Sequence, residues 1–327
     1  MTLLETSHLV RLYATTRSLL GRAPEGVVAV DGVTLVVEAG ESIGILGESG
    51  SGKSTLARCL VGLEHPDSGH VAFDGMELSR RHPHNLARMR RRMQMVFQDP
   101  DRALNPRRTV GAALAEAVRF HQRSSTRTVD DSVARLLQQV GLLPEDAQKL
   151  PSQLSAGQRQ RVGIARALAV EPEVLIADEP VSALDVSVQA QILNLLMDLR
   201  DELGLTLLFI SHDIEVVERM ADRVLVMLGG RIVEDLPAAS LRQGAAHPYT
   251  RALLAASPAR DVGAPAMPEP LDGEPPSPFE PKVGCFFASR CPIARAACRE
   301  REPNETHLAE DHMVDCLAVE EQKGPDR

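Results

Sequence analysis

The segment Gly47-Glu-Ser-Gly-Ser-Gly-Lys-Ser-Thr55 constrains this chain more than any other stretch. It fits the pattern G-x-x-x-x-G-K-[ST], which carries meaning only between a strand and a helix, and both are legible around it. Ile43, Ile45 and Leu46 form a short apolar run before the loop. After it Leu56, Leu60 and Leu63 recur at helical spacing until Pro66, Ser68 and Gly69 end the pattern. An ordinary glycine-rich turn would need neither flank. In a strand-loop-helix unit the glycines let backbone N–H groups curl around an anion, and the positive end of the helix dipole faces it. Lys53 can then neutralise β- and γ-phosphates, and Ser54 can ligate Mg²⁺. Gly47, Glu48, Ser49, Gly50, Ser51, Gly52, Lys53, Ser54 and Thr55 are therefore the candidate nucleotide contacts.

A phosphate loop alone leaves kinases, GTPases and repair ATPases open, because a fold does not fix a function. Two further apolar runs narrow the choice. Val174-Leu-Ile-Ala177 ends in Asp178 and Glu179, and Leu205 to Ile210 ends in Ser211-His212-Asp213. Adjacent side chains on a strand diverge, so Asp178 can hold Mg²⁺ through water while Glu179 faces a water that attacks the γ-phosphate as its general base. Two solvated acids at a strand end is the competing reading. An isolated histidine is more often structural, but His212 follows a strand at the carboxyl edge, where α/β sheets place their ligands. Gln98, in Met95-Val-Phe-Gln-Asp-Pro100, is an uncharged ligand that could reach Mg²⁺ or the attacking water.

Strands alternating with helical stretches over about the first 235 residues imply a mostly parallel sheet covered by helices. Residues from about 99 to 165 carry mainly helical patterns and read as a helical subdomain inserted in that α/β core. Aromatic content is 3 % with no Trp, so aliphatic side chains must build the core. A net charge of −9 gives no general nucleic-acid footprint, and Arg88, Arg90, Arg91 and Arg92 then read as a solvated helix face. No stretch approaches the roughly 18 apolar residues of a membrane span, and Met-Thr-Leu-Leu-Glu lacks the features of a signal peptide. The expectation is a cytoplasmic chain whose membrane role, if any, comes through a partner.

Leu154-Ser-Ala-Gly-Gln-Arg-Gln-Arg161 precedes a helix-compatible run and lies shortly before the paired acids. This segment resembles the signature of ATP-binding-cassette ATPases, usually L-S-G-G-Q. It falls in the family's order: after the phosphate loop and Gln98, before Asp178, Glu179, Ser182-Ala-Leu-Asp185 and His212. The resemblance implies a P-loop NTPase, with a RecA-like parallel-sheet core and an inserted helical signature subdomain. Ser155, Gly157 and Gln158 would meet the γ-phosphate bound by a second ATPase subunit, with Asp185 beside them, so a monomer would be catalytically incomplete. Ser155 and the N–H groups after it suit such an anion site. Ala156 departs from the usual glycine, and its methyl would crowd the nucleotide or trim activity. Tyr13 resembles the aromatic that stacks on adenine, and ATP with Mg²⁺ is the implied nucleotide.

Other details resemble the oligopeptide and dipeptide importer ATPases: Gly47-Glu-Ser, Gln98-Asp-Pro, Leu104-Asn-Pro-Arg107, His247-Pro-Tyr-Thr250 and Gly284-Cys-Phe-Phe. The resemblance implies a motor peripheral to the cytoplasmic face of the membrane, partnered by transmembrane permease subunits and, indirectly, a substrate-binding protein. ATP would close two cassettes, hydrolysis would reopen them, and the inserted helical region would pass the motion to the permease. Nickel or glutathione import stays open as cargo. The competing class, soluble ATPases of repair or translation, carries long insertions or two cassettes per chain. Here about 100 residues separate the phosphate loop from the signature, and there is one set of motifs.

The chain divides into an ATPase domain over 1–256, a linker over 257–283 and a C-terminal segment over 284–327. Eight prolines between Ser257 and Lys282 mark the linker. Cys285, Cys291, Cys298 and Cys316 follow, with five, six and seventeen residues between successive members. In a cytoplasmic chain such a cluster reads as a metal site rather than disulfides. The spacing lacks the tight C-x₂-C knuckle of zinc sites, which tilts the chemistry toward a [4Fe-4S] cluster. The resemblance points the same way. Zinc and unliganded thiols remain the alternatives.

Overall fold

The computed structural model describes residues 1–14, 26–78, 83–100, 104–121, 128–256 and 283–323. The proline-rich stretch over 257–282 lies outside the described residues. Contacts divide the chain into two compact units. One holds Met1–Leu3, Glu38–Glu41 and Phe73–Ile210, and the other holds Leu4–Val37, Ser42–Ala72 and Ser211–Arg327.

The second unit contains the phosphate loop. Strand Ser42–Leu46 is buried along its whole length and pairs in parallel with Arg223–Leu228, Ile43 opposite Arg223 and Leu46 opposite Val226. Burial on both faces explains why the segment reads as continuously apolar rather than alternating. Arg223–Leu228 turns back on itself as Arg231–Pro237. Gly229 and Gly230 both take positive φ, 56° and 88°, as a two-residue hairpin turn requires. The polar C-terminal segment extends this sheet: His312–Asp315 pairs antiparallel with Arg231–Pro237, and Glu305–Ala309 pairs with His312–Asp315. Strands Gly26–Glu38, Thr2–Ala14 and Ser68–Phe73 lie side by side in a separate sheet.

The first unit has three parallel strands, Met93–Val96, Val174–Asp178 and Thr206–Ser211, with Met93 opposite Val174 and Asp178 opposite Ile210. Helices Val110–His121, Val129–Gln139 and Ala156–Leu168 make up the inserted region. Helix Val186–Leu203 follows the paired acids; Asp185 caps its start, and Gly204, at φ 65°, ends it. The arginine cluster resolves into two kinds of residue. Arg88, Arg90 and Arg91 are exposed, whereas Arg92 pairs with both Glu173 and Asp74 and stacks 4.6 Å from the Phe73 ring centroid. Among the described residues, no helix is long and apolar enough to cross a membrane.

Candidate functional site

The phosphate loop is shaped by close backbone approaches that only glycine tolerates. A Cβ on Gly47 would stand 2.2 Å from the Met227 carbonyl oxygen, and one on Gly52 would stand 2.1 Å from that of Ala29. Gly52 also sits at φ 104°, immediately before helix Lys53–Leu60, a conformation that costs an L-residue about 1–2 kcal/mol. Gly50 has φ 81° but open space around it. The loop turns Lys53 inward until it is 4 % exposed. Its ammonium donates to the carbonyls of Gly47 at 2.7 Å and Glu48 at 2.8 Å, and to Ser51 Oγ at 3.3 Å. A compact cation thus sits at the mouth of a helix whose first turn presents N–H groups, with Ser54 and Thr55 in that turn.

Tyr13 belongs to the same unit. Its hydroxyl donates to the Glu64 carboxylate and lies 3.5 Å from Thr55 Oγ1. The Arg11 guanidinium, itself paired with Glu64 and Asp67, stands 4.9 Å from the ring centroid. Burial, followed by the Glu64 contact, pushes the phenol up from its ordinary value. One ring face therefore already carries a cation–π partner, which sequence reasoning did not anticipate. His212 is exposed at the end of its strand. Asp213 beside it caps helix Ile214–Met220 by accepting from Glu215 N–H at 2.9 Å and Val216 N–H at 3.4 Å.

In the other unit Asp178 ends its strand 3 % exposed. Glu179 follows with φ 44°, a left-handed conformation that costs a non-glycine residue on the order of 1–3 kcal/mol and clusters at functional positions. Two contacts hold it there. Its N–H donates to the Ile210 carbonyl at 3.0 Å, and its Oε2 accepts from Gln98 Nε2 at 3.0 Å. Gln98 also donates to Ser182 Oγ at 3.2 Å, so the structure brings Gln98, Glu179 and Ser182 together. The sequence carried no signal for the Gln98–Glu179 contact, since the partners are 81 positions apart.

The signature residues are organised by helix capping and packing. Ser155 Oγ accepts from Gln158 N–H at 3.2 Å while Gln158 Oε1 accepts from Ser155 N–H at 3.0 Å, a reciprocal capping box. Gly157 is buried, and a Cβ there would stand 2.5 Å from Val188 Cγ1; glycine is needed for contact with helix Val186–Leu203. Ala156 is exposed, so its methyl costs this chain's own packing nothing. Asp185 accepts from Ser187 Oγ at 2.7 Å and Val188 N–H at 3.0 Å. Those bonds hold its carboxyl below the ordinary range.

Cys285, Cys291, Cys298 and Cys316 line one small cavity, together with His247, Phe287 and Leu317. All four are free thiols. Burial above all, with a smaller contribution from the neighbouring Cys316, Cys291 and Cys298, pushes Cys285 up to about 11. Burial likewise raises Cys291. Among the described residues, no group of three or more His, Cys, Asp or Glu side chains is arranged to hold a metal ion. His247 is fully buried and driven down to about 3 by desolvation, so it is neutral. Its Nδ1 accepts from Tyr249 N–H at 3.0 Å.

Two family models match, "ABC transporter" over residues 30–182 and "Oligopeptide/dipeptide transporter, C-terminal region" over residues 233–298. A probable peptide ABC transporter ATP-binding protein of Sinorhizobium fredii is 50 % identical over 290 residues, covering 89 % of this chain and 82 % of the relative. The chain belongs to the ABC transporter ATP-binding proteins. The oligopeptide transport ATP-binding protein OppF of Escherichia coli is 46 % identical, covering 91 % of this chain and 90 % of its own length. Among solved structures, a dimeric ATP-binding cassette in a post-hydrolysis state bound to ADP and Pi superposes with a TM-score of 0.63 at 29 % identity. It covers 72 % of this chain and 98 % of its own. The P-loop α/β fold expected from the sequence is the fold observed, and the chain is an ATPase. For this ABC ATPase, Gly52→Ala should weaken nucleotide binding at least tenfold in a fluorescent-nucleotide titration, about 1.4 kcal/mol, because both φ and the Ala29 carbonyl oppose it. Gly50→Ala, which meets open space, should cost clearly less, and equal losses would contradict this reading of the cradle.

Proposed function

We propose that the chain is the motor subunit of a peptide importer, with ATP hydrolysed where it meets a second ATPase subunit. The observation that carries the reading is Glu179, held in left-handed backbone with its carboxylate hydrogen-bonded to Gln98, in a chain that also has a complete phosphate cradle. Lys53 and the N–H groups of the loop bind the β- and γ-phosphates, and Tyr13 stacks on adenine through the face opposite Arg11. Ser54, Asp178 and Gln98 would hold Mg²⁺, directly or through water. That ion neutralises phosphate charge when bound.

Glu179 accepts the proton of a water that attacks the γ-phosphorus. The bond from that phosphorus to the bridging oxygen breaks, leaving ADP and phosphate. Gln98 orients the carboxylate and the water, and His212 senses the γ-phosphate. Ser155, Gly157, Gln158 and Asp185 serve the nucleotide held by the partner cassette, so activity needs two chains. That partner can be a second copy or a homologue.

Peptide as the cargo class is supported by the C-terminal region match over residues 233–298 and by the relatives, which are named for peptide transport. Repair, translation, nickel and glutathione have no such support. A cavity of about 510 Å³ between helices Val110–His121 and Val129–Gln139, lined by Thr109, Ala112, Ala115, Arg119, Val133 and Ala147, is the surface we assign to a transmembrane permease. The chain would then sit on the cytoplasmic face of the membrane, and a substrate-binding protein would act only through that permease.

The four cysteines fit a [4Fe-4S] cluster better than zinc. All four line one cavity, and their spacing lacks the tight C-x₂-C pair common at zinc sites, which together support the larger cluster. The cluster would supply fold stabilisation or redox sensing, and the raised thiols would lose their protons on binding it.

Two outcomes test these assignments. Glu179→Gln should leave ATP binding within about twofold while cutting steady-state hydrolysis by at least about 100-fold, since an amide cannot take the water's proton. Such protein should accumulate as an ATP-bound dimer by size exclusion, whereas hydrolysis near the wild-type rate would remove Glu179 from the mechanism. Protein purified without oxygen should be brown, with absorbance near about 400 nm and about four irons per chain. Cys291→Ser should lose the colour and still bind ATP. Colourless anaerobic protein, with one zinc or no metal, would overturn the cluster.

A further inference from the structure

Glu48 uses every polar group it has, and two of the three go to the C-terminal part of the chain. Its carbonyl accepts from the Lys53 ammonium at 2.8 Å. Its N–H donates to the Tyr249 hydroxyl at 2.8 Å, across 201 positions. Its carboxylate takes a two-pronged contact from Arg290: Nη1 to Oε1 at 3.0 Å and Nη2 to Oε2 at 2.8 Å, across 242 positions. A loop residue at x of the G-x-x-x-x-G-K-[ST] pattern needs no particular side chain to bind phosphate through its backbone. The investment in this glutamate therefore calls for its own explanation.

The partners are built to be rigid. Tyr249 is fully buried, and burial raises its phenol well above the ordinary value, so the hydroxyl stays protonated. The Arg290 side chain is 4 % exposed against 25 % for Glu48. Phe287 wedges between them, 5.5 Å from the Tyr249 ring centroid at an interplanar angle of 63° and 5.5 Å from the Arg290 guanidinium. His247 closes the group at 6.0 Å from Phe287. Both Phe287 and His247 also line the cysteine cavity. A planar guanidinium on a carboxylate at this geometry fixes direction as well as charge.

We infer that Arg290 and Tyr249 are positioning residues for the nucleotide, holding Glu48 so that its carbonyl and the loop behind it stay aimed at Lys53. The consequence is that the C-terminal segment acts as a brace on the phosphate cradle and not only as an appendage to the sheet. In a flexible loop the Lys53 ammonium would have to be reordered by each incoming nucleotide; in a braced one that ordering is already complete, and the saving appears as affinity. The inference rests on the phosphate loop being the nucleotide site. Lys53→Ala serves as the separate control for that reading.

The test is a fluorescent-ATP titration on the full chain, paired with ATPase kinetics and a thermal melt. Arg290→Gln and Glu48→Gln should each weaken nucleotide affinity by about tenfold, and the double variant should be no weaker than the worse single one, since contacting partners couple in this range. KM for ATP should rise while kcat stays within about twofold, and Arg290→Lys should recover part of the loss. A merely structural role would instead lower the active fraction, seen as a fall in kcat at unchanged KM. Tyr249→Phe, which removes only the hydroxyl that accepts from Glu48 N–H, should weaken affinity severalfold without moving the melting temperature by more than a few degrees. Unchanged affinity in both Arg290→Gln and Tyr249→Phe, or additive losses in the double variant, would overturn the brace. If Lys53→Ala itself bound ATP as tightly as wild type, the nucleotide site would be elsewhere, and the brace would fall together with the reading it rests on, an outcome distinct from loss of the brace alone.

Discussion

A buried ammonium at the start of a helix is the constraint around which the nucleotide half of this protein is arranged. Lys53 is 4 % exposed and anchored by the carbonyls of Gly47 and Glu48. Burying a cation is costly unless its donors are satisfied, so the loop must curl tightly enough to bring carbonyls to it and still leave N–H groups facing outward. That curl needs glycine at 47 and 52, because the Met227 and Ala29 carbonyls press within 2.2 and 2.1 Å of where a Cβ would stand. Two distant segments, the strand ending at Leu228 and the strand beginning at Gly26, thereby define the cradle that nine consecutive residues announce.

The segment around Glu179 follows a different physical rule, strain held by hydrogen bonds. Glu179 adopts φ 44° directly after a five-residue strand buried at every position. A rigid strand fixes where the carboxylate starts, and the bonds to Gln98 and Ile210 fix where it points. Elsewhere in that unit the signature residues are caps and contacts first. The capping box of Ser155 with Gln158, the packing of Gly157 on Val188 and the cap by Asp185 make a stable helix start, and it is at such starts that anions bind.

How much of this was legible depended on whether the information was local. The strand-loop-helix at residues 42 to 60, the buried strand before Asp178 and the helical insertion all announce themselves by hydrophobic period and glycine placement. The two C-terminal strands did not, because Glu305–Ala309 and His312–Asp315 are short and polar and gain their order by joining Arg231–Pro237. Nor did the contacts of Glu48, whose partners stand 201 and 242 positions away. His247-Pro-Tyr-Thr250 was visible as a family resemblance, yet its physical content emerged only in three dimensions: a neutral buried imidazole on the cysteine cavity and a tyrosine hydroxyl on the phosphate loop. The family resemblance alone assigns Tyr13 to adenine, and the Arg11 stack and the Glu64 hydrogen bond depend on side-chain geometry that no spacing encodes.

The central assignment, an ATP-driven importer motor for peptides, is tested most directly by reconstitution. The chain and the membrane proteins that co-purify with it from detergent-solubilised membranes would be placed in liposomes, and uptake of a labelled oligopeptide measured with ATP supplied on the side carrying this chain. Uptake that requires ATP on that side, and ATP hydrolysis that rises when peptide is delivered to the opposite side, is the expected result. Peptide uptake indifferent to ATP, or hydrolysis stimulated by DNA or ribosomes and not by peptide, would contradict it.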